Sequence, residues 1–76
     1  MKERTYSVVP EPEEGGGYSV SVPALPGCFS QGSTMEEALE RAAEAISVHI
    51  AGLESDGEPV PEEREHPRIA SVTVAA

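Results

Sequence analysis

From Thr34 to Leu53 the chain carries one amphipathic helix signal, and no other segment of the sequence carries a second. Leu39, Ala42, Ile46, His49, Ile50 and Leu53 recur at three- and four-residue spacing, while Glu40, Arg41 and Glu44 lie off that stripe. Thr34 is suited to cap the helix, with Glu37 three places on completing a capping box, and Glu36 and Glu37 suit the positive N-terminal end. The helix is expected to end near Leu53 or Glu54, where Gly52 weakens the last turn. A lone helix with one apolar stripe has to bury it against something else, and the remaining signals are all β.

Tyr18, Val20 and Val22 alternate with Ser19 and Ser21, the clearest strand pattern. Arg4 to Val9 reads as a strand before it, with Tyr6 and Val8 on one face, and Pro10 to Gly17 as an exposed, acidic, glycine-rich hairpin loop. Pro26-Gly27 suits the middle of a type II turn within Pro23 to Gly27; Cys28 to Gln31 is then a short third strand released at Gly32. Ser55 to Pro67 is a polar connection with three prolines, and β-branched Ile69 to Val74 reads as a fourth strand. The expected order is β-β-β-α-β, an α+β domain over residues 1–76 with one helix on one face of the sheet. The faces Tyr6/Val8, Tyr18/Val20/Val22 and Val72/Val74 are expected against the helix. Ile69 to Ala76 carries no charge, and an uncharged edge strand invites pairing, so it is expected to be covered, most simply in a homodimer.

With 76 residues the chain buries only about 60% of its unfolded surface, so packing and association have to stabilise it. Cys28 is the single cysteine, which excludes an internal disulfide and fits a reducing cytoplasm. No stretch is long enough to span a bilayer. The net charge of −9, from 14 acids against 5 bases, repels phosphate and argues against direct binding of nucleic acid or an anionic membrane. It suits encounter with a basic protein, or equally a merely soluble or heat-adapted surface.

Chemistry-bearing residues are sparse. Cys28 in a strand and His49 on the helix stripe read as core or half-buried residues, and His66 as a solvated loop residue. One cysteine and two distant histidines match no zinc spacing, and Glu11, Glu13 and Glu14 lack the ligand positions of a calcium loop. Gly15-Gly16-Gly17 leads into a strand, not a helix N-terminus, so it is no phosphate cradle. No catalytic residue, metal site or cofactor is expected.

Gly17-Tyr18, Val22-Pro23, Leu25-Pro26-Gly27-Cys28, Gly32-Ser33-Thr34 and Glu36-Glu37-Ala38-Leu39, in this order and spacing, resemble the HicB family of antitoxins. The resemblance implies a partial ribonuclease H-like fold, a four-stranded sheet of order 3-2-1-4, with the last strand parallel to the first. A working ribonuclease H holds metal with carboxylates on the first strand, the helix and the last strand. Thr5 to Val9 and Ile69 to Val74 contain no acid, so metal-dependent hydrolysis lacks ligands. The resemblance also implies a partner, a basic HicA-type ribonuclease whose RNA-facing surface the antitoxin covers. Glu11, Glu13 and Glu14 are the candidate electrostatic contacts, and Pro23, Leu25 and Pro26 the candidate apolar ones. Gly17, Tyr18, Gly27, Gly32, Thr34 and Glu37 are assigned structural roles. Longer family members carry a C-terminal DNA-binding domain; this sequence ends at Ala76, so operator binding is not expected. Two other readings stay open: a solitary oligomer with an unknown ligand or partner, and a degenerate nuclease on the same fold.

Overall fold

A computed structural model describes residues 3–76; Met1 and Lys2, within the expected 1–76 domain, lie outside the described residues. Strands β1 (Val9–Pro12), β2 (Tyr18–Ser21) and β3 (Phe29–Gly32) precede helix α1 (Met35–Ser55). The sheet is antiparallel throughout in the order β1-β2-β3, with one helix against one face.

The first strand lies later than its pattern suggests. Arg4 to Val8 carry no ladder pairing, because β2 turns away at Val22, whose N–H donates to the Cys28 carbonyl at 3.2 Å. Pairing instead runs through Pro10 to Pro12, the first three residues of the expected loop. The register Val9↔Ser21, Pro10↔Val20, Glu11↔Ser19, Pro12↔Tyr18 makes this possible. The next pair outward, Glu13 N–H to Gly17 carbonyl at 2.9 Å, shows that odd-numbered residues of β1 bond to β2. The prolines therefore face their missing N–H toward the open edge, where no ladder bond is lost. The third strand sits one residue later than expected, at Phe29–Gly32.

Helix α1 starts as its sequence dictates. Thr34 Oγ1 accepts the Glu37 N–H at 3.1 Å, and Glu37 Oε1 accepts the Ser33 N–H at 2.8 Å. It ends at Ser55, slightly beyond expectation, because Gly57 supplies the left-handed residue (φ +70°) of a Schellman motif. Glu58 N–H reaches the Leu53 carbonyl at 2.9 Å and Gly57 N–H the Glu54 carbonyl at 3.1 Å.

The core has two parts. Val20, Ala38 and Ala42 pack with Val8 and Tyr18; Val22, Leu25 and Cys28 pack with Tyr6, Val8, Ala45 and Ile46. Val8 joins the two. The expected faces of the first two strands do meet the helix, although Leu39 is left half-exposed. Small residues set the spacing: a Cβ on Gly32 would lie 2.5 Å from the Ala38 nitrogen, and one on Gly17 would lie 2.7 Å from the Gly32 carbonyl oxygen.

The fourth strand is absent. Residues 69–74 form no ladder, and Ile69, Val72 and Val74 are 82%, 86% and 75% exposed instead of facing the helix. Pro10 and Pro12 remove two donors from the edge where this strand was expected. The sheet in this chain is thus three-stranded, and the order 3-2-1-4 is realised only as far as 3-2-1.

Candidate docking surface

The β1–β2 hairpin tip is a three-residue loop. Gly16 N–H donates to the Glu13 carbonyl at 3.0 Å, and Gly16 and Gly17 adopt φ of +102° and +82°. It leaves Glu11, Glu13 and Glu14 exposed. The backbone contacts at Gly17 and Gly32 bring the first helical turn to the same end, adding Glu36 and Glu37. Arg41 partly offsets this charge, with Nη2 3.8 Å from Glu37 Oε1 and Nη1 donating to the Gln31 carbonyl at 3.4 Å. Such an exposed pair contributes at most about 1 kcal/mol. The Glu11 position also corrects the expected acid-free first strand: β1 contains one carboxylate. It pairs across to Ser19 on the face away from the helix, and among the described residues no group of three His, Cys, Asp or Glu side chains is arranged to hold a metal.

The expected apolar contacts lie at the opposite end of β2, about 13 Å of strand away. Two successive turns build this end, Leu25 N–H to Val22 carbonyl and Cys28 N–H to Leu25 carbonyl, both 3.0 Å, with Gly27 at φ +85° as a type II turn requires. Leu25 is fully buried and plugs the core, so its side chain is not a surface contact. Pro23 and Pro26 are exposed. The structure adds two residues here. Phe29 (74% exposed) and Val48 (68%) line an open groove of about 460 Å³ with Ala45 and His49. Phe29 lies on the edge strand β3, and the Val20↔Ser30 pairing that gives Ser30, and not Phe29, the place toward the helix is a matter of register with no local signal in the sequence.

The same groove touches Cys28, but burial pushes its thiol up, away from the reactive thiolate. No hydrogen bond joins Cys28 to His49 among the described residues. His66 is not simply solvated. Its Nδ1 meets the Glu63 carboxylate, and Ser7 Oγ at 3.1 Å. Glu63 in turn accepts the Ser7 hydroxyl at 2.6 Å and the Ser7 N–H at 3.0 Å, while Tyr6 donates to the Pro61 carbonyl at 2.5 Å. The Ser7 hydroxyl, the Ser7 N–H and His66 together hold the Glu63 carboxyl below its ordinary range, against the opposing effect of burial. This clasp ties the connection after the helix to the segment before β1.

A profile of the family described as "HicB_like antitoxin of bacterial toxin-antitoxin system" matches residues 6–72, which takes in all three strands, the helix and the clasp. The chain belongs to the HicB-like antitoxin family. A UPF0150 protein of Thermoplasma acidophilum is 48% identical over 56 residues, covering 74% of this chain and 81% of that protein. A UPF0150 protein of Synechocystis is 47% identical over 58 residues, covering 76% and 73%. A protein named Antitoxin HicB 1 from Photorhabdus laumondii is 43% identical over 61 residues, which is 80% of this chain but 39% of that protein. That family is one of antitoxins of bacterial toxin–antitoxin systems. The surface carries two exposed patches, one acidic and one apolar, at the two ends of a small sheet. No helix among the described residues is long and apolar enough to cross a membrane.

Proposed function

We propose that this chain is the antitoxin of a type II pair and neutralises a HicA-type messenger-RNA ribonuclease by covering its active surface. The observation that carries the reading is charge placed on a HicB-like scaffold: Glu11, Glu13, Glu14, Glu36 and Glu37 gathered at one end of a chain of net charge −9. Such a patch steers a basic, RNA-binding protein into encounter and fixes its orientation. The exposed apolar residues Pro23, Pro26, Phe29 and Val48 lie at the far end, where a buried contact would set the dissociation rate. The protein acts by occupancy and not by bond cleavage, in a reducing cytoplasm that suits its free Cys28.

The working form is a homo-oligomer, most simply a dimer, in which residues 69–74 are covered and a fourth strand completes the ribonuclease H-like sheet beside β1. The test is titration of the cognate basic ribonuclease with this chain. Glu13→Lys with Glu14→Lys should weaken binding and flatten its salt dependence. Unchanged affinity and salt slope would remove the hairpin from the interface.

The exposed Ile69, Val72 and Val74 equally favour a second reading, a solitary oligomer acting on another partner. A stable oligomer that leaves the ribonuclease active would select it.

A further inference from the structure

An open groove of about 410 Å³ runs between the segment before β1 and the helix, walled by Arg4, Tyr6 and Val8 on one side and Leu39, Ala43 and Ile46 on the other. No residue after the helix lines it. The geometry points to this groove as the seat of residues 69–74 from a second copy of the chain, exchanged reciprocally so that each molecule supplies the other's fourth strand. The inference rests on the homo-oligomeric part of the function proposed above and specifies its contact.

Three observations fit residues 69–74 to this groove, and one, the third below, favours those of a second copy. First, the edge accepts a strand only over a limited stretch. Because Pro10 and Pro12 lack the outward N–H, pairing is confined to Arg4 to Val8, five positions that suit the six residues from Ile69 to Val74. Second, the side chains match. Ala70, Val72 and Val74 alternate with Ser71 and Thr73, so one face of an added strand sets apolar groups over Leu39, Ala43 and Ile46 while the other shows hydroxyls to water.

Third, the chain's own arm is led away. The Glu63–Ser7–His66 clasp holds the connection beside the groove, and Pro67 and Arg68 alone separate His66 from Ile69. Ser7, an odd-numbered residue, turns its N–H away from the open edge, and so short a hinge disfavours crossing from there to the open edge of the same chain, the circumstance in which elements are exchanged between copies. The shape agrees: the radius of gyration is 14.5 Å, against about 11 Å for a compact chain of this length, and the long axis spans 49 Å. Fourth, Ile69 to Ala76 carries no charge, so the arm approaches a molecule of net charge −9 without adding like charge. Arg4 Nε, buried at the groove without an acceptor, lies where an added strand brings backbone carbonyls.

The test uses the whole chain without any toxin. Sedimentation should give a dimer for the parent and a monomer of unchanged helix content for Val72→Asp with Val74→Asp. In a second variant, Ala43→Cys with Val72→Cys, oxidation should yield a dimer cross-linked between chains, with the parent and its buried Cys28 as the control. A dimer that survives both aspartates and gives no such cross-link overturns the exchange while leaving the oligomer reading intact. A cross-link within one chain overturns it by showing that the groove takes its own arm. A monomeric parent overturns both.

Discussion

Residues 17–42 and residues 58–76 differ in how their contacts are supplied. In the first region each turn is fixed by its neighbours: Gly17 abuts Gly32, Gly32 abuts Ala38, Thr34 caps Glu37, and Val20 lies under Ala38 and Ala42. In the second, one clasp at Ser7 is the principal anchor, and the apolar residues beyond it face water. The first region is a finished piece of protein. The second has the composition of a strand without the partner a strand needs, and a partner is a property of an assembly, not of a segment.

That contrast makes a graded set of expectations for chemical denaturation. Leu25→Ala, which empties the fully buried plug of the β2–β3 turn, should cost about 2–5 kcal/mol in urea unfolding. Gly32→Ala forces a methyl into the helix backbone and should cost about 1–3 kcal/mol, with the helix displaced from β3. Thr34→Ala removes the cap and should cost about 1 kcal/mol. Val72→Ala, measured where the chain is monomeric, should change stability by less than about 0.5 kcal/mol. A loss comparable to that of Leu25→Ala would show that the arm packs within its own chain and would erase the distinction between the regions.

The clasp gives a pH-dependent version of the comparison. Glu63 has a folded carboxyl held below its unfolded value, so it contributes stability fully present above the unfolded carboxylate range and lost as pH falls through the folded value. Acid titration of the parent should therefore release the connection from Ser7 before the core unfolds, read as a fall in the protection of the Ser7 amide relative to its intrinsic exchange rate at each pH. Glu63→Gln should show that lower protection already at neutral pH, with little further change in protection on acidification. Equal exchange in parent and variant at neutral pH would mean that the clasp does not tie the two segments.

The parts legible in the sequence were those set by near neighbours. The cap at Thr34, the turn at Pro26-Gly27 and the alternation at Tyr18 to Val22 each depend on residues a few places apart, and each formed as read. The first strand slipped because proline ends a strand only when its nitrogen faces a partner, and that depends on a register no local pattern contains. The Ser7–Glu63 contact joins residues 56 apart in sequence and has no local signature. On the candidate surface, the acids of the hairpin could be read from their loop, whereas Leu25 looked like a contact because a turn is usually exposed. Here two consecutive turns fold its side chain inward.

Under the function proposed above, this surface works by covering a ribonuclease. The most direct measurement is cleavage of a messenger RNA by the cognate HicA-type protein as this chain is added. Cleavage should stop near equimolar addition, and the chain alone should leave the RNA intact in magnesium or manganese. Undiminished cleavage at excess, or cutting by this chain by itself, would contradict that function.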